Sequence, residues 1–424
     1  MENFLTSLAL SLILGLLASR VSKKIGLPAV TAYLVAGIIL GPFVLGRLGI
    51  KGIGFTTESY IKQFDILSNL ALGFIAFTIG NEFRIKDLEK MGKQAITVGI
   101  LQAVITTLLV DVVLIVLHLI FPNLLSLQSA IVLGAIAAAT APAATLMVIK
   151  QYKATGPLTK LLLMVVALDD AVGLVLFSVS FGIASAIESG AISIITVLLE
   201  PVLELLFSII LGTLLGVSLN FLERFFHSRS KRLSLVVAFV MLGVGVSMLT
   251  LNVGGVKLSS SLLLTQMIAG TVFCNICSAS DEIMDRLDRW TAPLLVLFFV
   301  LSGSGLDFSI FKNPLVLVIG VVYIIARSTG KIGGAYISTK LTHCSKEIQH
   351  YLGITLLPQA GVALGMAKEA LVFTDGKIIS NIVLFSVFIY ELVGPMLTKI
   401  SLERAGEINT SERKSSRITN SPSS

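Results

Sequence analysis

Thirteen apolar runs divide almost the whole chain, and most are long enough to cross the hydrocarbon core of a bilayer, which takes about 20 helical residues. They cover residues 3–20, 28–46, 64–81, 94–121, 127–149, 157–187, 191–223, 233–251, 259–277, 291–306, 313–340, 349–371 and 379–398. Only 13% of the 424 residues are charged, about half the share of a soluble protein. The sequence therefore predicts an all-α polytopic membrane protein with 13 transmembrane helices.

The basic residues fall mainly on one side of this predicted arrangement. Eighteen Lys and Arg residues flank the odd-numbered connections, and seven flank the even-numbered ones. Because positively charged connections stay in the cytoplasm, this bias predicts an N-terminus outside the cell membrane and a cytoplasmic C-terminus. The net charge of +7 belongs to these connections and does not indicate nucleic-acid binding. The polar tail, residues 403–424, is predicted to be disordered.

Two apolar runs are interrupted by proline at matching places in the two halves of the chain. Pro142 interrupts the fifth run, and Pro358, followed by Gln359 and Gly361, interrupts the twelfth. A G-x-[DE]-F-x-I motif also closes both the third and the tenth run, at Gly80 and Gly305. These matches predict two inverted six-helix repeats, joined by the seventh run as a linker helix, in which the broken helices cross. Broken helices survive in a membrane where protein or a water-filled cavity surrounds them.

The sixth run carries two adjacent carboxylates, Asp169 and Asp170, near its middle. An acid at the centre of a bilayer costs at least a few kcal/mol, so this pair indicates a site that exchanges protons and cations. Consecutive helix residues point about 100° apart, so the two acids cannot face the same partner. One can hold a basic residue, while the other can bind a proton or a metal cation in turn.

The eleventh run carries two cations, Arg327 and Lys331, four residues apart and therefore on one face of a helix. We expect both to face the acidic pair. Other polar residues within the runs could line a path or make contacts within the bundle: Asp111, His118, Gln359 and Glu391. Three charged residues at run ends are predicted to be interfacial: Glu82, Asp307 and Lys312.

A series of short motifs spread over residues 5–402 resembles the second cation:proton antiporter family. The motifs are Ile25-Gly26-Leu27-Pro28, Gly37-Ile38-Ile39-Leu40-Gly41-Pro42, Phe77-Thr78-Ile79-Gly80-Asn81-Glu82-Phe83, Thr140-Ala141-Pro142, Asp169-Asp170, Gly330-Lys331 and Leu357-Pro358-Gln359-Ala360-Gly361-Val362-Ala363-Leu364-Gly365. The order and spacing of the motifs carry the resemblance.

The resemblance implies a secondary active transporter that exchanges a monovalent cation for protons by alternating access. The double aspartate is similar to that of the electrogenic sodium/proton antiporters, which implies that Asp170 binds Na+ or H+, that Asp169 pairs with Lys331, and that Thr140 lies beside the ion. Arg327 is an alternative partner for Asp169, since a sister family uses arginine in this helix.

The resemblance also implies a division of the transmembrane domain, residues 1–402, into parts that move against each other. A dimerisation part comprises 1–92 and 231–310, a core part comprises 93–188 and 312–402, and a linker helix covers 191–225. We therefore expect a homodimer in the lipid bilayer, with no resident cofactor and Na+, or else K+ or Li+, as the cation.

Three alternatives remain at this point. A K+/H+ antiporter or a sodium-coupled solute symporter could use the same fold. An intramembrane aspartyl protease would need two acids that converge from different helices, whereas Asp169 and Asp170 are neighbours. The sequence therefore does not indicate an enzyme.

Overall fold

The computed structural model describes residues 4–50, 54–81, 83–122, 124–189, 194–249, 251–253, 256–305 and 314–408. The chain forms sixteen helices in this part: α1 (Phe4–Lys24), α2 (Ala29–Leu40), α3 (Glu58–Lys62), α4 (Asp65–Asn81), α5 (Ile85–Ile120), α6 (Leu127–Ile136), α7 (Pro142–Tyr152), α8 (Pro157–Ser189), α9 (Ile194–Glu223), α10 (Arg229–Ser247), α11 (Leu262–Ile276), α12 (Ser280–Ser304), α13 (Pro314–Leu341), α14 (Lys346–Thr355), α15 (Gly361–Glu369) and α16 (Gly376–Arg404). The predicted all-helical class is confirmed. Within the described ranges, the β structure is one short antiparallel ladder of β1 (Leu251–Val253) with β2 (Val256–Leu258).

Each predicted apolar run overlaps one helix or the two halves of a broken one within the described residues. Nine helical segments of the described chain are long and apolar enough to cross a membrane, and three apolar helices are shorter: Asp65–Asn81, Leu127–Ile136 and Leu262–Ile276. The chain is a multi-pass membrane protein. Three residues predicted to be interfacial, Glu82, Asp307 and Lys312, lie outside the described residues, as does the tail from 409 to 424.

Both predicted breaks are present. Helix α6 ends at Ile136, and α7 begins with Pro142 as its first residue, a position where the missing proline N–H costs nothing. In the second half, α14 ends at Thr355, and α15 begins at Gly361, three residues after Pro358. Each break leaves a short non-helical segment between two short helices, so backbone groups that a continuous helix would satisfy are free to take other partners.

The helices pack in two groups. In the first, α5 packs along α13 and α8, and the breaks lie among these helices with α16 beside them. In the second, α2 packs against α1 and α12, while α4 and α9 pack against α11. Each group has a cluster of buried apolar side chains, one around Val110, Phe177 and Ile382, and another around Phe273 and Leu287. A third and larger cluster joins the two groups and includes Val165 of α8 and Leu301 of α12.

Four glycines allow two of the helix pairs in the second group to approach closely. A Cβ atom at Gly37 of α2 would lie 2.0 Å from the Val300 carbonyl oxygen, and one at Gly303 of α12 would lie 2.2 Å from that of Leu34. The pair α4 and α11 repeats this arrangement: Gly80 faces the Met267 carbonyl oxygen, and Gly270 faces that of Phe77. A side chain at any of the four positions would push its helices apart.

Candidate functional site

The two helix breaks meet and are joined by hydrogen bonds. Ala141 N donates to the Pro358 carbonyl oxygen over 2.8 Å. Gln359 reaches across in the same way, with its Nε2 3.1 Å from the Ile136 carbonyl oxygen, and Ser386 Oγ donates to Gln359 Oε1. The amino ends of α7 and α15 carry partial positive charge, and the carboxyl ends of α6 and α14 carry partial negative charge. Four half-helix ends are thus concentrated inside the protein.

Arg327 of α13 binds the carboxyl ends of both broken helices. Its guanidinium donates to the carbonyl oxygens of Ala137, Ala139 and Leu357 at 3.0, 2.7 and 2.8 Å, and its Cζ lies 4.5 Å from the centre of the Tyr390 ring. A cation at this place compensates the partial negative charge of the two helix ends. Arg327 therefore does not pair with Asp169 in this structure, which differs from the expectation that both cations of α13 face the acids.

Lys331 is the cation that reaches the acidic pair. Its Nζ lies 2.9 Å from Asp169 Oδ2, 2.9 Å from Thr140 Oγ1 and 3.0 Å from Gln102 Oε1. Thr140 Oγ1 donates to Asp169 Oδ2 over 2.5 Å, and the Gln102 amide donates to Asp169 Oδ1. Neither Lys331 nor Asp169 is exposed at all. Four side chains from α5, α8, α13 and the first break thus form a closed network in which the charges of one acid and one base cancel.

Asp170 has no partner of this kind. Its side chain is 3% exposed, and neither carboxylate oxygen has a hydrogen-bond partner among the described residues. It follows Asp169 on α8, so it leaves the network on a different side of the helix. A buried carboxylate without a partner must take up a proton or a cation to offset the cost of leaving water. Asp170 is therefore the acid of the pair whose oxygens are not engaged by another described side chain.

Beside Asp170 and Arg327, the other seven predicted site residues divide into two groups. Asp169, Lys331 and Thr140 lie in the closed network, while Pro142, Pro358, Gln359 and Gly361 build the crossing of the two breaks. Gln102 and Ser386 belong to the same two groups but were not singled out from the sequence. An amide within an apolar run is the only signal that Gln102 offers.

The other polar residues named from the sequence lie apart from both groups. His118 Nδ1 lies 2.7 Å from the Leu125 carbonyl oxygen, and Asp111 packs against Gly134 of α6. Glu391 is buried and accepts a hydrogen bond from Ser302 of α12. None of the three contacts Asp169 or Asp170 through a described hydrogen bond or ion pair.

The chain resembles known exchangers over nearly its whole length. A family model described as "Sodium/hydrogen exchanger, transmembrane" matches residues 8–404. The ammonium/proton antiporter subunit of Alkalihalophilus pseudofirmus is 24% identical over 374 residues, which are 86% of this chain and 86% of that protein. The K+/H+ antiporter subunit of Bacillus subtilis is 21% identical over 409 residues, 95% of this chain and 94% of that protein.

A solved structure has the same fold. The sodium proton antiporter of Methanocaldococcus jannaschii at pH 8 matches 96% of this chain and 99% of its own with a TM-score of 0.71 and 20% sequence identity. That structure shows the fold, and the family model confirms the resemblance to cation:proton antiporters at the level of the family. Since the family model spans all but the ends of the sequence, the chain belongs to the sodium/hydrogen exchanger family.

Proposed function

We propose that the protein is a secondary active antiporter that exchanges Na+ for protons, with Asp170 as the residue for which the two ions compete. The observation that carries this proposal is the pair of buried Asp170 oxygens without a hydrogen-bond partner. One carboxylate that binds either ion, and is exposed to one side of the membrane at a time, is sufficient for obligatory exchange.

Asp169 and Lys331 supply a second proton site in this mechanism. When Asp169 takes up a proton, Lys331 keeps two acceptors, Gln102 Oε1 and Thr140 Oγ1. The ammonium is therefore not left without partners when the ion pair opens, which lowers the cost of protonating Asp169. If both acids are protonated during the step that carries protons into the cell, two protons enter for each Na+ that leaves.

This stoichiometry moves one net charge inward per cycle. At 100 mV the moved charge contributes about 2.3 kcal/mol. Each proton adds about 1.4 kcal/mol per unit of pH difference. Together these terms support a Na+ gradient well above tenfold. If Asp169 kept its charge throughout the cycle, exchange would be one-for-one and the voltage would contribute nothing.

The proposed architecture has thirteen membrane crossings and two inverted repeats, with the N-terminus outside and the C-terminus in the cytoplasm. The glycine contacts support the repeats, because α2 with α12 and α4 with α11 are the pairs that an inversion would exchange. The crossing of two broken helices at equivalent places supports it as well. The orientation rests on the distribution of Lys and Arg.

We assign transport to motion of the core part, 93–188 and 312–402, against the dimerisation part, 1–92 and 231–310. The two packing groups, each with an apolar cluster of its own, favour this division, and a third apolar cluster covers the contact between them. Two copies would associate through the dimerisation parts, with 191–225 as the linker helix. A rigid body that carries both the acids and the crossing can change the side from which Asp170 is reached without breaking the network around Asp169.

K+ is the second candidate for the transported cation, because one relative is named as a K+/H+ antiporter subunit and the site geometry contains no feature specific to Na+. The deciding experiment uses purified protein in proteoliposomes with a trapped pH dye and additions of Na+, K+, Li+ or ammonium. Proton movement that depends on one of these cations, and that Asp170→Asn abolishes, is the expected result. Cation-dependent proton movement retained in Asp170→Asn would refute the assignment.

The stoichiometry is tested in the same vesicles under imposed membrane potentials. Two-for-one exchange should accelerate as the potential becomes more negative on the side that corresponds to the cytoplasm, which the protons enter. Rates independent of voltage would rule it out. A symporter would instead require an organic solute, so transport without any added solute argues against that alternative.

A further inference from the structure

Glu391 is a buried acid that this mechanism leaves unused. It lies in the middle of α16 and is 4% exposed. No described lysine, arginine or histidine forms an ion pair with it. Its hydrogen-bond partner is the hydroxyl of Ser302, near the end of α12.

The geometry of this contact fits a protonated acid. Ser302 Oγ lies 3.1 Å from Glu391 Oε1 and 3.3 Å from Oε2, so both carboxyl oxygens are within hydrogen-bond range of one hydroxyl. A neutral acid can form a hydrogen bond at each oxygen, because its O–H donates to Ser302 Oγ while its carbonyl oxygen accepts from the serine hydroxyl. An ionised carboxylate would receive a single hydrogen bond for a full buried charge.

The surrounding helices offer Glu391 no other charge. Arg327 of α13 is held by the helix breaks, Lys331 by Asp169, and Lys150 of α7 by Asp288. Lys399, on the same helix as Glu391, donates to the Gly26 carbonyl oxygen. Thr31 of α2 donates to the Leu392 carbonyl oxygen. The remaining charged residues on α13, α14 and α15 are exposed near helix ends: Lys340, Lys346, Glu347, Lys368 and Glu369. Those of α12 all lie within its first ten residues, far along the helix from Ser302.

Helix α16 joins the helix breaks to the opposite part of the protein at this level. Ser386 binds Gln359, the Tyr390 ring lies against Arg327, and Gly394 packs so closely on Pro358 that a Cβ atom there would lie 2.9 Å from the proline ring. On its other side, α16 makes the contacts of Glu391 with Ser302 and of Leu392 with Thr31. Glu391 thus lies where a helix attached to the crossing meets α2 and α12.

We propose that Glu391 is a proton-binding site separate from Asp169 and Asp170, and that its protonation holds the core part docked on the dimerisation part as seen here. This inference rests on the division into moving parts made in the proposed function. Loss of the proton leaves an ionised carboxylate beside a single hydroxyl, which destabilises the docked arrangement and favours release of the core. The proton bound at Glu391 biases the position of the core and need not be transported.

Infrared difference spectroscopy of the full chain in lipid, between acid and alkaline pH, detects the site directly. The wild type should show, beside any band from Asp169 and Asp170, the carbonyl stretch of a further protonated carboxylic acid, which disappears on alkalinisation and is missing in Glu391→Gln. Ser302→Ala should keep this band but shift its frequency, because the hydroxyl partner is gone. Glu403→Gln is the matched control: the same change on an exposed residue of the same helix should leave the band assigned to Glu391 as in the wild type. An unchanged band in Glu391→Gln would overturn the proposal.

Docking is measured separately with a cysteine pair at Lys150 and Asp288, whose side chains meet between α7 and α12. Cross-linking yields with and without Glu391→Gln are compared at the same pH, because the reactivity of the thiols also changes with pH and is then the same in both proteins. As the pH rises, the yield should fall with glutamate at position 391 and persist with glutamine. Equal yields at every pH would refute the link between Glu391 and docking. Neither measurement needs transport, so failure of the cation-exchange assay would refute the proposed function without deciding the role of Glu391.

Discussion

Lys331 Nζ lies 2.9 Å from Asp169 Oδ2, and both side chains are completely buried. The ion pair is completed by Thr140 and Gln102, which contact both of its members. Asp170, the next residue of α8, has no such partner. Two adjacent carboxylates therefore have opposite electrostatic environments, and the first two predictions below follow from this difference.

Removal of Lys331 should strongly destabilise the protein. Lys331→Met leaves Asp169 as a buried charge without a cation, at a cost of about 3–5 kcal/mol. The double variant Asp169→Asn with Lys331→Met should recover much of this loss, because it removes both charges. Thermal unfolding in detergent measures both effects, with Lys340→Met, at the exposed end of the same helix, as control. Additive effects of the two substitutions would contradict a direct pair.

Replacement of the two aspartates should change stability in opposite directions. Asp170→Asn removes a buried acid without partners and should raise stability by about 1 kcal/mol while abolishing exchange. Asp169→Asn breaks the ion pair and should lower stability. Melting temperatures compared with transport in the same preparation check this. A stability loss in Asp170→Asn as large as that in Asp169→Asn would mean that Asp170 has a structural partner after all.

Arg327 should be needed for folding in a way that lysine cannot replace. An ammonium cannot reach the three carbonyl oxygens that the guanidinium fork binds, and each charge-assisted bond lost costs about 1.5–3 kcal/mol. Arg327→Lys should therefore lower the melting temperature sharply, whereas Arg224→Lys, at the exposed residue that follows α9, should not. Wild-type stability of Arg327→Lys would show that these carbonyls are satisfied by other donors.

The ion pair between Lys150 of α7 and Asp288 of α12 should have a modest effect on transport. The two side chains are 28% and 39% exposed, so solvent limits the pair to about 1 kcal/mol, roughly a fivefold change in an equilibrium between two arrangements. Lys150→Glu should alter the transport rate within that range, and Lys150→Glu with Asp288→Lys should restore it. The effect should fade at high salt. A salt-independent defect would point to a role other than this ion pair.

Glu407 should stabilise the beginning of α8. Its carboxylate accepts from Leu158 N, Thr159 N and Thr159 Oγ1 at 2.6, 2.7 and 2.6 Å. Glu407→Gln replaces one acceptor oxygen with a donor amide and removes the charge at a helix N-terminus, which should cost about 1–2 kcal/mol. Thermal unfolding beside Glu403→Gln measures this. Equal melting temperatures for the two variants would show that the contact contributes nothing.

The sequence by itself determined the class of fold and the positions of the breaks. Hydropathy is a local property, so the apolar runs coincide with helices without any knowledge of their neighbours. Proline acts locally too, which is why Pro142 and Pro358 marked the two interruptions. The adjacent acids stood out for a similar reason, since charge within an apolar run is costly wherever the helix packs.

Only the tertiary structure decided which side chains meet. Arg327 and Lys331 share one face of α13, and helical periodicity alone cannot tell which of them reaches Asp169 and which binds the helix ends. Gln102 and Glu407 were missed because their roles depend on how α5 and the chain after α16 lie against α8. The rotation of each helix about its axis and its neighbours in the bundle are fixed by packing between segments far apart in the chain, and no local pattern of residues encodes them.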